Sequence, residues 1–292
     1  MHAAGSTPTY TPEQQRIIAS DARRLRVNAF AGTGKTSTLV GLSAARSGRR
    51  MLLVAFNKAI ADEAARRFPG NVTARTGHSL GFRAIGHRYR DKLAGDLKPY
   101  NVSGSLASMT STMPANAARV FEAKSIQALK AFLVSADSAI SLQHVSLGGS
   151  PVEKSYLTEG EVAKGASKIW LEMQSLSSAV PMTHDGYLKL YHLSEPVLRF
   201  DDILLDEWQD TNPVLQAILG AQDCAFTGVG DTHQSIYGFR GAENAMETAA
   251  CDESHYLTGS FRFGQEVADV ANAVLALKGE KVALRGLGRP SQ

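Results

Sequence analysis

Residues 29–36, Ala-Phe-Ala-Gly-Thr-Gly-Lys-Thr, constrain this chain more than any other stretch. They follow an apolar run at 25–30 and precede a helical stretch at 35–47. Glycines spaced this way let backbone N–H groups turn inward at the positive end of the next helix, where phosphate oxygens are favoured. Strand, tight loop and helix in that order belong to a parallel sheet covered on both faces. A chance glycine loop lacks that context.

The same rhythm continues on either side. Thr11 and Pro12 open a short helix over 12–20, as cap and first-turn residue. Residues 51–56 read as a second strand, 59–68 as a helix closed by Pro69-Gly70, and 71–74 as a third strand. From about Phe82 the spacing changes. Val120, Phe121, Lys124, Ala128, Leu129, Phe132 and Leu133 recur mostly at three and four, as do Val162, Ala166, Ile169, Trp170 and Met173. No strand is expected before about Leu198, and the polar stretches 101–116 and 146–150 are expected to be loops. Strand-helix alternation returns at 203–205 and 225–227, with a last helix over 264–277. The expected fold is α/β: a parallel sheet with helices on both faces, interrupted by a mainly helical insert. Its parts are 1–84 with 196–258 as the sheet domain, 85–195 as the insert, and 259–292 as the opening of a second domain too short for its own core.

Composition adds exclusions. The 292 residues are 43% apolar and 20% charged, an ordinary globular balance. No apolar run approaches the roughly 20 residues that span a bilayer, and residues 1–12 lack the layout of a secretory signal. Cys224 and Cys251 have no zinc or disulfide pattern. An intracellular, cytoplasmic setting without a membrane is expected. The net charge of +3 permits nucleic acid without arguing for it. Arginines cluster at 23, 24 and 26, at 49 and 50, and at 83, 88 and 90, either as solvated faces or as part of a phosphate-contacting strip.

Three segments carry candidate chemistry. In the loop, Lys35 is placed to reach β- and γ-phosphates and Thr36 to hold Mg²⁺. Ile203-Leu204-Leu205 ends in Asp206 and Glu207; at a strand end in the same sheet, Asp206 suits Mg²⁺ and Glu207 suits polarising an attacking water. In 230–242, Gln234 can sense a γ-phosphate, while Tyr237 and Phe239 offer stacking surfaces or simply fill core. Trp170 sits at helical spacing, as core residues do, and Trp208 fills space or alters how Glu207 is held.

These segments, in this order, resemble superfamily-one helicases of the UvrD/Rep/PcrA kind. Asp206-Glu207-Trp208-Gln209-Asp210-Thr211-Asn212 resembles their DEAQDTN motif, and 230–242 resembles GDxxQSIYxFRGA. Residues 10–14 look like the motif that reads adenine, and 76–80 like a TxHS segment beside bound single strand. Residues 54–58 and 183–190 look most like F-box DNA helicases and their bacterial or phage relatives, although no F-box segment is visible. The resemblance covers most of 10–275 and is weakest in about 95–155.

That resemblance implies a RecA-like P-loop domain that uses ATP and Mg²⁺ for 3′ to 5′ movement on single-stranded DNA or DNA with a single-stranded tail. It implies Lys35, Glu207, Gln234 and Arg262 as catalytic. Gln14, Ala31, Gly32, Thr33, Gly34, Lys35, Thr36, Ser37 and Phe261 would bind nucleotide, and Thr36 and Asp206 metal. Phe56, Asn57, His78, Tyr237, Phe239 and Arg240 would meet DNA. Phe239 stands where many relatives have Trp, and Ser37 where UvrD has an adenine-packing Arg. The chain ends about thirty residues after Arg262, so a shortened helicase half is expected, its second RecA-like domain supplied by another chain if at all. The alternative is a module that binds ATP and DNA, or a partner, without turnover. A GTPase is excluded by the lack of an Asn-Lys-x-Asp run.

Overall fold

The computed structural model describes residues 9–234, 246 and 249–289. Thr11 caps α1 (Pro12–Ile18): its hydroxyl accepts from the Gln14 amide, and Gln14 Oε1 accepts in return from Thr11 N–H. β1 (Arg24–Ala29), α2 (Lys35–Ala45), β2 (Met51–Ala55), α3 (Lys58–Arg67) and β3 (Val72–Thr76) then alternate. After the intervening helices come β6 (Asp202–Leu205), α10 (Pro213–Gly220), β7 (Ala225–Gly230) and β8 (Glu253–Leu257).

The sheet has six strands in the order β3-β2-β6-β7-β1-β8, all parallel. β2 and β6 are buried on both faces, which is why they read as apolar runs, whereas β1 alternates. Alternation sorts their side chains. Leu53 and Leu204 face Ile17, Leu39 and Leu42 on one side. Leu52, Val54, Ile203 and Leu205 face Trp208, Leu219 and Phe226 on the other. Each buried aliphatic side chain contributes roughly 1.5–3 kcal/mol by leaving water. The strand order sets the loops after Ala29, Leu205 and Gly230 side by side at the carboxyl ends of β1, β6 and β7, where α/β sheets bind ligands.

Between β3 and β6 the chain forms α4 (Gly77–Ala84), a 3₁₀ turn (Gly86–Lys92), β4 (Leu93–Ala94), α5 (Pro99–Thr110), α6 (Ala115–Val134), α7 (Pro151–Tyr156), α8 (Glu159–Gln174), β5 (Met182–Thr183) and α9 (His184–Leu193). Phe121, Leu129 and Phe132 of α6 pack with Val162, Ile169 and Met173 of α8 in a core of their own, which also takes in Val214 and Ile218 of α10. Trp170 lies in that core, edge-on to Phe132.

Three sequence expectations need correction. Most of 101–116 is helix, because Val102 and Leu106 sit on one face of α5 and are fully buried, which outweighs the Ser and Gly content. Leu93–Ala94 and Met182–Thr183 form a two-residue parallel ladder in a region expected to lack strands. β8 was not expected at all: it is a sheet edge with a polar, half-exposed sequence.

The last described part is a small unit. β9 (Gly259–Ser260) pairs in parallel with β10 (Arg285–Gly286), and α11 (Gln265–Leu277) lies between them in sequence. Ala268 and Leu284 of this unit pack against Phe30.

Several of the clustered arginines are held by carboxylates near the amino ends of the strands, away from the loops above, while Arg24 and Arg26 donate to the Gly220 and Ala249 carbonyls. Arg46 and Arg49 both pair with buried Asp202, Arg50 with Asp201, and Arg23 with Asp223.

Candidate active site

Gly32 and Gly34 both adopt positive φ, +74° and +82°, which turns the loop after β1 inward. A side chain at either position would also press on its neighbours. A Cβ on Gly32 would lie 2.7 Å from Ser260 Oγ and 2.8 Å from Arg262 Cβ; one on Gly34 would lie 2.7 Å from Gln14 Nε2 and 3.5 Å from the Phe261 ring. The Phe261 amide also donates to Gly32 O at 2.9 Å. Residues from α1 and from the segment after β9 therefore flank the same loop. Thr33 is buried, its hydroxyl donating to Phe30 O at 2.7 Å to close the turn. Ala31 is half-buried and Ser37 exposed at the start of α2.

Across the loop stands the end of β6. Lys35 Nζ donates to Glu207 Oε2 at 2.9 Å, and the Thr36 hydroxyl lies 3.5 Å from Asp206 Oδ2. Asp206 is buried; desolvation first, and then the neighbouring Glu207 charge, push its carboxyl up to about 6, against the opposing pull of Lys35. Glu207 takes a left-handed backbone, φ 51°, which is strained for a non-glycine residue.

Gln209 joins the two halves of the site. Its side chain is buried, its Nε2 donates to Glu207 Oε2 at 2.9 Å, and its Oε1 accepts from Asp231 N–H at 3.0 Å. Asp231 in turn accepts from the Gln234 side chain and from His233 N–H. A continuous path thus runs Lys35–Glu207–Gln209–Asp231–Gln234. Gln209 has no role legible in the sequence, since nothing local says that β6 and β7 are neighbours. His233, also without an expected role, pairs with Glu280 at 2.8 Å and stacks on Phe30.

Trp208 is core. It packs edge-on against Phe226 and over Gly228, where a Cβ would lie 2.2 Å from its ring.

Of the residues expected near DNA, Phe56 is 43% exposed and lines a cavity that also reaches Thr36, Asp206 and Glu207. The Asn57 carboxamide accepts from Ile60 N–H at 2.9 Å and caps α3. His78 lies 3.1 Å from Asp185 and edge-on to His184 and Tyr187. Tyr237, Phe239 and Arg240 lie outside the described residues.

A six-stranded parallel sheet flanked by helices, with a glycine loop, an acidic pair and an amide at adjacent strand ends, defines an α/β domain of the RecA-like P-loop class. Residues 191–252 match the family model for the UvrD/REP helicase N-terminal domain. Over 279 residues the chain is 38% identical to F-box DNA helicase 1 of Gallus gallus, which covers 91% of this chain and 27% of that protein. It is 34% identical to F-box DNA helicase protein 1 of Schizosaccharomyces pombe, over 97% of this chain and 34% of that protein. With DNA helicase II of Escherichia coli the identity is 25%, over 90% of this chain and 40% of that protein. Over these stretches the chain is similar to helicases of the UvrD/REP and F-box kinds, and it spans between 27% and 40% of the length of these three relatives. Among the described residues no helix is long and apolar enough to cross a membrane.

Proposed function

We propose that this chain binds ATP with Mg²⁺ and hydrolyses it as the ATP-binding part of a DNA helicase that moves 3′ to 5′ on single-stranded DNA. The single observation that supports this most is the junction of Lys35, Thr36, Asp206 and Glu207 at adjacent strand ends, with Gln14, Phe261 and Arg262 gathered on the same loop.

In this reading the resting ion pair is a store for both partners. Phosphate draws Lys35 from Glu207, and Glu207 keeps its orientation through Gln209 while it polarises water. Gln234 and Arg262 meet the γ-phosphate, where charge develops during transfer. Gln14 reads adenine and Phe261 stacks on it. The donor set suits a hard divalent cation: a buried carboxylate with a raised pKa beside a hydroxyl is relieved by positive charge. Thr36 and Asp206 would hold Mg²⁺, which would supply positive charge to offset that of the phosphates.

Phe56 and His78 line the DNA track, and the sequence resemblance assigns Tyr237, Phe239 and Arg240 to DNA as well; a single-stranded tail is the preferred substrate, and a second RecA-like domain completes the motor. The setting is intracellular, as the substrate requires. The test is equilibrium titration with Mg·ATP. Micromolar binding that weakens by about one to two orders of magnitude in Lys35→Ala supports the reading; equal binding by both chains removes the loop from it.

A further inference from the structure

Glu13 precedes the amide assigned to adenine, yet its own carboxylate serves a different part of the fold. Oε2 accepts from Thr258 N–H at 2.8 Å. Oε1 accepts from the Thr258 hydroxyl at 2.6 Å and from Arg285 Nη2 at 2.7 Å. Arg285 closes the triangle, its Nε donating to Thr258 Oγ1 at 3.0 Å and its backbone N–H to Thr258 O at 2.9 Å. The Glu13 side chain is only 16% exposed, and Thr258 is buried.

Three elements are pinned by this one carboxylate: α1, the end of β8, and β10. The first two lead straight to the nucleotide loop, and β10 braces the second by pairing with Gly259 and Ser260. Gln14 is the next residue after Glu13. Thr258 runs through Gly259 and Ser260 into Phe261, whose amide is bonded to Gly32 O. Gln14 Nε2 lies 2.7 Å, and the Phe261 ring 3.5 Å, from the point where a Cβ on Gly34 would sit. Glu13 and Thr258, residues 245 positions apart in sequence, thus tie together the two segments that carry the amide and the ring.

We propose that Glu13 is a positioning residue for base recognition: clamped to Thr258 and Arg285, it sets the gap between Gln14 and Phe261 and so tunes selectivity for the base without touching the nucleotide. This rests on the nucleotide reading above, with Gln14 and Phe261 as the base-facing pair. A carboxylate suits the task because it accepts three hydrogen bonds at once, one of them from a guanidinium, and charge-assisted bonds hold geometry more firmly than neutral ones.

The experiment is a set of equilibrium titrations of the full chain with Mg·ATP, Mg·GTP and inorganic triphosphate. Glu13→Ala is expected to lower ATP affinity about tenfold, the scale of one lost charge-assisted hydrogen bond. Its triphosphate affinity should stay within about twofold, since no phosphate-facing group is altered, and its preference for ATP over GTP should shrink toward one. Glu13→Gln, which keeps acceptors for Thr258 but loses the charge facing Arg285, and Arg285→Met should each show a smaller shift of the same pattern. If Glu13→Ala does not fold, those two variants decide. An ATP-to-triphosphate ratio equal to that of the unaltered chain in every folded variant overturns the proposal, as does an equal loss for all three ligands, the mark of a merely structural role. An unaltered chain that binds none of the three overturns the nucleotide reading itself, and the proposal with it.

Discussion

Lys35 and Glu207 lie 2.9 Å apart across the glycine loop and the end of β6, so the ammonium assigned to phosphate is held by the carboxylate assigned to water. The pair is mostly shielded, with side-chain exposures of 13% and 33%, which makes it firmer than an open surface pair. Replacing Lys35 with Ala should weaken Mg·ATP binding by roughly 1.5–3 kcal/mol, about one to two orders of magnitude in Kd. Calorimetric titration reads this directly, and an unchanged Kd would contradict the assignment.

Gln209 offers a second separation of roles. Glu207→Gln should leave ATP affinity near that of the unaltered chain and lower turnover by about 10²–10⁴-fold, the usual worth of a general base. Gln209→Leu removes the donor that orients Glu207 and should lower turnover about tenfold or more at constant ATP affinity. Single-turnover rates beside binding constants separate the two quantities. A Gln209→Leu chain that turns over normally would show that the bridge only packs the core.

The raised pKa of Asp206 gives a pH signature in the ligand-free chain. Its folded value, about 6, lies above the value of about 4 expected in the unfolded chain. Between those values the folded state binds the extra proton, so this group makes the fold more stable as pH falls through 6 toward 4, and less stable above 6. The cost at neutral pH is on the order of 3 kcal/mol. Asp206→Asn should raise the ligand-free Tm by a few degrees at pH 7.5, and the gain should shrink toward pH 4. Paired melting curves across that range check it, and a variant less stable at pH 7.5 contradicts it.

Phe56 and Asn57 are neighbours with different expected consequences. The Asn57 side chain caps α3, so Asn57→Ala should cost about 1 kcal/mol of stability in denaturant melts. Phe56, 43% exposed, should cost little stability when changed to Ala, but about 1–3 kcal/mol of single-stranded DNA binding if a base stacks on it. Fluorescence anisotropy with a labelled oligonucleotide measures the second effect. Unchanged DNA affinity in Phe56→Ala would take that ring off the track.

What could be read from sequence was whatever a short stretch specifies by itself. Gly32 and Gly34 announce an inward loop because no other residue takes that backbone easily, and the apolar runs at β2 and β6 announce strands buried on both faces. β8 escaped because an edge strand buries little and carries Glu, Ser and His. α5 escaped because two buried residues, Val102 and Leu106, hold a helix that its Ser and Gly content argues against. In the site, Asp206 and Glu207 were legible as a strand-end acidic pair. Gln209 and Glu13 were not, since each acts on a group whose closeness depends on strand order or on a contact hundreds of residues away.

The measurement that bears most directly on the central claim is the ATP hydrolysis rate of this chain with and without single-stranded DNA, with Lys35→Ala as the blank. The expected result is Lys35-dependent hydrolysis that rises when DNA is added. ATP binding with no hydrolysis above the blank in either condition would contradict it and leave a nucleotide-binding module without turnover.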